Sequence, residues 1–145
     1  MIFRAKNYEE LSKEELYEIL KSRAQIFIVE RGMRCQDLDD NDPKSRHFFF
    51  WEDSRVVAYI RAFYLDEEHT AVKIGRVLTL THGVGLGAKL FAAVKADLKE
   101  NMPCQKICVD AQKHAVGFYE KMGFKPRSGE FLEEGVVHVA MELKT

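Results

Sequence analysis

Apolar and polar positions follow two different periods along this chain, and each change of period predicts a helix or a strand. After a short first strand near Phe3, apolar residues recur every three or four positions from about Lys13 to about Glu30, which predicts an amphipathic helix. Ser12 with Glu15 three residues later is typical of the capping box that begins such a helix. The predicted apolar face consists of Leu16, Ile19, Leu20, Ala24, Phe27 and Ile28.

Runs of β-branched and aromatic residues predict the strands. Four of them are RHFFFWE, VVAYIRAFY, AVKIGRVLTL and KICVDA, and the short DSR turn between the first two favours an antiparallel hairpin. FKPRSGEFLEEGVVHVAMEL is predicted to form a closing hairpin that turns near Glu134 and Gly135. LGAKLFAAVKADLKE and HAVGFYEKM predict two more helices, and the second of these is expected to end at Gly123.

The predicted order of elements is therefore β α β β β α β α β β. A strand, helix, strand passage inside a mostly antiparallel order implies an α/β (α+β) sheet with one right-handed parallel crossover. A length of 145 residues is close to the commonest domain size, so residues 1–145 are expected to form a single domain.

Composition and charge exclude several classes of protein. With 46% hydrophobic and 31% charged residues and a net charge of -1, the chain is typical of a globular protein and lacks the basic patch of a nucleic-acid binder. No apolar run is long enough to cross a membrane, and the first residues do not resemble a signal peptide. Three cysteines without a CxxC pattern fit a reducing compartment, so a cytoplasmic location is expected, with no nucleic-acid or membrane partner.

A glycine-rich loop, THGVGLGAK, lies between a predicted strand and a predicted helix. Glycines let backbone amides approach a ligand closely, and a helix N-terminus favours an anion such as a phosphate. The GxGxxA spacing also fits a dinucleotide site, but only about 60 residues follow it, too few for that fold. Thr81 stands where a methyltransferase loop has an acid, and Lys89 follows Ala88 rather than a P-loop glycine. Close packing of strand on helix is the remaining alternative.

Two segments carry a resemblance to a known family. H82-G-V-G-L-G-A88 and A111-Q-K-H-A-V-G-F-Y-E-K-M-G-F124 resemble the two signature motifs of the GNAT superfamily of acetyl-CoA-dependent N-acetyltransferases. RAQIFIVERGMRCQDLDDND, WEDSRVVAYIRA, IGRV and VVHVAM are similar to the ElaA-like branch of that superfamily. The resemblance covers nearly the whole chain, and it departs from the pattern at His82, where the family has Gln or Arg.

The resemblance implies a GNAT fold with a mixed, mostly antiparallel sheet of about six or seven strands, and acetyl-CoA as cosubstrate with no metal. Backbone groups of Val77, Leu78 and Thr79 would bind the pantetheine arm, with Gln112 and Phe118 beside it. Tyr119 matches the family's general acid, which protonates the departing thiolate; packing alone is the alternative for this side chain. The pyrophosphate would lie on His82, Gly83, Val84, Gly85, Leu86, Gly87 and Ala88.

The general base and the acceptor-binding residues are less defined. His138, in the last strand, can exchange protons near neutral pH, and Glu30 at the end of the first helix is a second candidate base. Asp37 and Asp39 are expected to attract a cationic amine, with His47 nearby, although a solvated acidic loop is the plainer interpretation. Arg61 and Arg76 are either structural cations or ligands of an acidic group. The acidic loop lacks the glycine and glutamate of a calcium loop.

The sequence therefore predicts an enzyme that transfers an acetyl group to a primary amine of a small molecule or peptide, by direct attack in a ternary complex. The alternative is a module that senses CoA or acyl-CoA without catalysis. Domains of this type often form homodimers, so a homodimer is also considered.

Overall fold

A computed structural model describes residues 1–145, which form one seven-stranded sheet with three α-helices. The strands are β1 Ile2–Asn7, β2 Arg46–Glu52, β3 Arg55–Tyr64, β4 Ala71–Thr79, β5 Lys106–Gln112, β6 Lys125–Glu133 and β7 Val136–Lys144. The helices are α1 Lys13–Arg23, α2 Leu86–Asn101 and α3 Val116–Lys121. None of the helices is both long and apolar enough to cross a membrane.

The strand order is β1-β2-β3-β4-β5-β7-β6. Neighbouring strands are antiparallel except β4 and β5, which are parallel and connected through α2. The predicted order of elements and the single parallel crossover are confirmed, and the architecture is that of the GNAT fold.

Both predicted hairpin turns are confirmed. Asp53 and Ser54 join β2 to β3 with φ angles of 50° and 59°, and Glu134 and Gly135 join β6 to β7 with φ angles of 52° and 74°. Two successive positive φ angles are the requirement of a two-residue turn whose twist matches that of the strands. These turns set the register of the residues next to them; further along, the register shifts between Phe50 and Trp51 and between Pro126 and Glu130.

The two faces of the sheet bury two separate apolar clusters. Along β2, Phe48 and Phe50 belong to the larger cluster, which α2 covers, while Phe49 belongs to a smaller cluster under α1. This alternation follows from the two-residue period of a strand.

The first helix differs from its prediction. It begins at the predicted capping box, where the Ser12 hydroxyl accepts from the Glu15 amide at 3.0 Å. After Arg23, however, it continues over Ala24–Glu30 as a π-helix, whose wider turns rotate the buried face. Ile26 is buried and Ile28 is 41% exposed, which is the reverse of the predicted pattern.

Candidate active site

The central feature of the sheet is a gap between β4 and β5. The two strands pair only over their first residues, where Ala71 lies opposite Lys106 and Lys73 opposite Cys108. Lys73 Nζ reaches the carboxylate of Asp110 across the strands at 2.9 Å, where the pairing ends. Beyond this point the strands part and leave a cleft of about 590 Å³.

The wall of the cleft formed by β4 presents unpaired backbone groups. Leu80 N donates to Val57 O at 2.9 Å, and Leu78 lies opposite Tyr59 in the same ladder. Because backbone groups alternate in direction along a strand, Leu78 bonds to β3 while Val77 and Thr79 direct their N–H and C=O toward the gap. The prediction for Leu78 is therefore corrected: its backbone is used within the sheet, and only its neighbours can bind a ligand through theirs.

The glycine loop uses its three glycines in two ways. Gly83 and Gly85 have φ angles of 76° and 77°, a conformation that side chains disfavour, and a Cβ on either would meet nothing within 4 Å. A Cβ on Gly87 would lie only 3.0 Å from the Phe118 ring. Gly87 therefore serves the close packing of α2 against α3, whereas the other two shape the loop.

The N-terminus of α2 offers amides without acceptors. Gly85 caps the helix, and the first helical bond runs from Lys89 N to Gly85 O at 3.1 Å. The amides of Leu86, Gly87 and Ala88 therefore have no acceptor within the helix. Of the predicted loop residues, Val84 and Ala88 do not line the cleft with their side chains.

Tyr119, on α3, lies at the inner end of the cleft. It is only 6% exposed and stacks edge-on against Phe118 and Phe124, yet its hydroxyl has no hydrogen-bond partner in the chain. Burial raises the pKa of this hydroxyl well above its ordinary value, and the nearby positive charge of Arg31 acts in the opposite direction. The hydroxyl therefore stays protonated at neutral pH, as a proton donor must.

His138 lies on β7 directly opposite Gln112 of β5, and both line the cleft. Its Nδ1 lies 2.8 Å from the Val136 carbonyl, which can only accept, so Nδ1 carries a proton. In the neutral ring Nε2 then has a free lone pair, and it lies 3.7 Å from the Glu133 carboxylate. The Gln112 side-chain amide lies 3.7 Å from the Met33 sulfur. This arrangement suits proton acceptance at Nε2.

Glu30 and His82 form an exposed pair at the mouth of the cleft. His82 Nε2 donates to the Glu30 carboxylate at 2.6 Å, which links the end of the π-helix to the glycine loop. His82 lines the cleft and Glu30 does not. Glu30 thus reaches the cleft only through His82, so His138 is the better placed of the two predicted bases.

The acidic loop is held by arginines rather than left free. Asp37 pairs with Arg76 at 2.8 Å, and Asp39 pairs with Arg61 through two bonds, one of them at 2.8 Å. The Arg61 guanidinium lowers the pKa of Asp39 well below its ordinary value and outweighs the effect of burial, which acts in the opposite direction. Both carboxylates line the cleft but are neutralised, which contradicts the expectation that they attract a cationic amine.

His47 does not contact the cleft, so its prediction as an acceptor-binding residue is wrong. The ring is fully buried. Its Nε2 donates to the Asp42 carbonyl at 3.0 Å, and its Nδ1 accepts from the Tyr59 hydroxyl at 2.6 Å. Burial lowers the pKa of His47, so the neutral ring is a structural part of the core.

The cleft is lined by two further charged residues, Arg31 and Glu134, which the sequence analysis did not assign to the site. Arg31 follows the π-helix directly, and its guanidinium lies 5.5 Å from the Phe27 ring centre. Glu134 lies in the turn between β6 and β7. Neither residue forms an ion pair in the chain, and no local sequence signal marks either one.

This cleft fits an acyl-CoA. The unpaired strand edge at Val77 and Thr79 can bond to the amides of a pantetheine arm, and the amides at the start of α2 can hold a pyrophosphate. A Cβ at Gly85 would project into the open space of this loop, which is the space that a bound anion needs. Fold and cleft together are those of an acyl-CoA N-acyltransferase.

The chain belongs to the GNAT acetyltransferase family, because the Acetyltransferase (GNAT) domain profile matches residues 7–145. It is 31% identical over 139 residues to the protein ElaA of Escherichia coli, covering 93% of this chain and 91% of ElaA. The crystal structure of Escherichia coli ElaA matches with a TM-score of 0.90 at 29% identity, over 99% of both chains. An acyl-CoA N-acyltransferase from Pseudomonas aeruginosa matches with a TM-score of 0.87 at 27% identity, again over 99% of both chains.

Proposed function

We propose that this protein is an acetyl-CoA-dependent N-acetyltransferase that acts on a primary amine by direct attack in a ternary complex. The observation that carries the proposal is the hydroxyl of the largely buried Tyr119, which lacks a protein partner and lines the same cleft as the open β4 edge and His138. A tyrosine with only a packing role needs no such access to a cleft.

Acetyl-CoA supplies the activated acetyl group as a thioester. Val77 and Thr79 hold its pantetheine arm through backbone bonds, and the amides of Gly85 to Ala88 hold its pyrophosphate. The Thr79 N–H, which is directed into the gap, polarises the thioester carbonyl by donating a hydrogen bond to its oxygen. These contacts come from backbone groups, so the replacement of Gln or Arg by His82 leaves the anion site intact.

Three groups of the chain divide the chemistry. His138 Nε2 accepts the proton that the attacking amine loses, directly or through water, and Glu133 stabilises the charge that then forms on the ring. A bond forms between the amine nitrogen and the acetyl carbon while the carbon–sulfur bond breaks. Tyr119 donates its proton to the departing thiolate, and the tyrosinate is reprotonated from solvent.

The three free cysteines support a cytoplasmic location. Among the cysteines, Cys35 lines the cleft, and burial raises the pKa of its thiol. Its sulfur is therefore a poor nucleophile, which supports direct transfer over a route through an acetylated cysteine.

The test is thiol release from acetyl-CoA in the presence of small amines, polyamines, amino acids and peptide amino termini, with the acetylated product identified by mass spectrometry. We expect amine-dependent release and a product about 42 mass units heavier than the amine, because an acetyl group replaces one hydrogen atom. Saturable acetyl-CoA binding without turnover on every amine would refute the proposal and indicate a CoA-sensing module.

A further inference from the structure

The charges that line the cleft are almost all neutralised by partners within the chain. Four lysine and arginine residues line it: Arg31, Arg61, Lys73 and Arg76. Three of these form ion pairs with Asp39, Asp110 and Asp37 respectively. Arg31 is the only one of the four without an ion pair or a side-chain hydrogen bond.

The Arg31 guanidinium is nonetheless held in a defined place. It lies over the ring of Phe27, which is only 6% exposed and is fixed in the apolar cluster under α1. The contact with Phe27 uses none of the guanidinium N–H groups in a hydrogen bond, so these donors stay free for a planar, two-oxygen partner. A carboxylate is the partner that this edge fits best.

The position of Arg31 assigns it to the reacting end of the cleft. Met33, two residues further along the chain, lies with its sulfur 3.7 Å from the Gln112 amide, and Gln112 lies opposite His138 on the neighbouring strand. The pyrophosphate site at the start of α2 is built from backbone amides and needs no side-chain cation. Arg31 is therefore placed to meet the acceptor rather than the phosphates of acetyl-CoA.

The cleft also contains carboxylates that lack a cationic partner. Glu134, in the turn between β6 and β7, has no ion pair, and Glu133 beside it lies 3.7 Å from the His138 ring. With His138 neutral, the cleft thus holds one unpaired cation, Arg31, and two carboxylates without a cationic partner, Glu133 and Glu134. A ligand that carries both an ammonium and a carboxylate group complements this arrangement.

We propose that the acceptor is an aminocarboxylate, such as an amino acid, and that Arg31 binds its carboxylate while its amine faces His138. This inference rests on the proposed acetyltransferase function and narrows its substrate class. Glu134 attracts the ammonium form from solvent, and the amine loses its proton before it attacks.

The test compares alanine, phenylalanine and lysine with their carboxamides, which retain the amine and lose the carboxylate charge. We expect the wild-type protein to favour the acids in kcat/KM by about 10- to 100-fold, the range of a charge-assisted bond. Arg31→Gln should abolish this preference by raising KM for the acids, with KM for acetyl-CoA unchanged. Arg31→Lys should keep part of the preference.

Arg34→Gln is the matched control, because Arg34 is exposed, lies three residues further along the same loop and does not line the cleft. This variant should keep the full preference. Equal use of acids and carboxamides by the wild-type protein would overturn the inference while leaving the acetyltransferase function standing. A raised KM for acetyl-CoA in Arg31→Gln would also overturn it.

Binding provides a second readout that does not depend on turnover. In titration calorimetry of the CoA-loaded protein, the acids should bind about 10-fold more tightly than their carboxamides, and Arg31→Gln should bind both alike. Equal binding of acid and carboxamide to the wild-type protein would refute the carboxylate subsite. Failure of every amine to stimulate thiol release would instead refute the proposed function.

Discussion

Replacing Gly85 with Asp or Asn tests whether the start of α2 binds an anion. The residue has a φ angle of 77°, which Asp and Asn tolerate better than other side chains, and a Cβ there meets nothing within 4 Å. Both variants should therefore fold, each with a similar loss of stability of about 1 kcal/mol. Only Gly85→Asp adds a negative charge beside the free amides.

The size of the effect follows from that charge. A carboxylate about 4 Å from a bound phosphate raises the free energy of the complex by about 1–4 kcal/mol for effective dielectric constants between those of water and a protein surface. We expect Gly85→Asp to raise the Kd for acetyl-CoA by roughly 10- to 100-fold relative to Gly85→Asn. Titration calorimetry measures both values, and added salt should shrink the difference.

Equal affinities of the two variants at low salt, both close to that of the wild-type protein, would show that no anion binds at these amides. Weak binding by both, without a difference between them, would instead show that the loop only needs glycine for its shape.

Three further predictions follow from buried groups. Tyr119→Phe should lower kcat by about 10²-fold with little change in KM for acetyl-CoA, and steady-state kinetics within a factor of about two of wild type would exclude the proton-donor role. Asp42→Asn should lower the free energy of unfolding by about 2–4 kcal/mol in urea titrations, because Asp42 pairs at 2.7 Å with the fully buried Arg23. The control Asp40→Asn, on an exposed side chain, should change it by less than about 0.5 kcal/mol. Burial lowers the pKa of His47 in the folded protein, so below about pH 6.5 the unfolded chain binds a proton at this ring and the folded chain does not. The free energy of unfolding should therefore fall by up to about 1.4 kcal/mol per pH unit as the pH drops below this value. Urea midpoints between about pH 7.5 and 5 should show this slope, and His47→Gln should remove it.

Local signals in the sequence were sufficient to predict most of the fold. The capping box at Ser12, the paired turn residues and the strand-helix-strand passage each depend on residues close in sequence. The π-helix was missed because hydrophobic periodicity assumes 3.6 residues per turn. Ser22 and Arg23 were missed for another reason: they are polar, and the partners that allow their burial, the Val56 carbonyl and Asp42, are distant in sequence.

The same distinction applies to the site. The glycine loop and Tyr119 are contiguous motifs, so they were found by their residue types and by resemblance. Asp37 was assigned to substrate attraction because its arginine partner lies on β4, 39 residues further along the chain. Arg31 is distinguished only by having no ion-pair partner in the folded chain. Sequence patterns do not predict this, because ion-pair partners can be distant in sequence.

The arginine cluster also has a consequence for engineering. Three arginines from α1, β3 and β4 hold the loop at Asp37, Asp39 and Asp42, while the π-helix anchors its other end. The short segment 33–36 therefore has both ends anchored, by the π-helix before it and by the arginine-paired aspartates after it. Met33, Cys35 and Gln36 of this segment line the cleft. Its side chains can be exchanged as a cassette, and a library confined to these four positions should redirect acceptor choice without redesign of the scaffold.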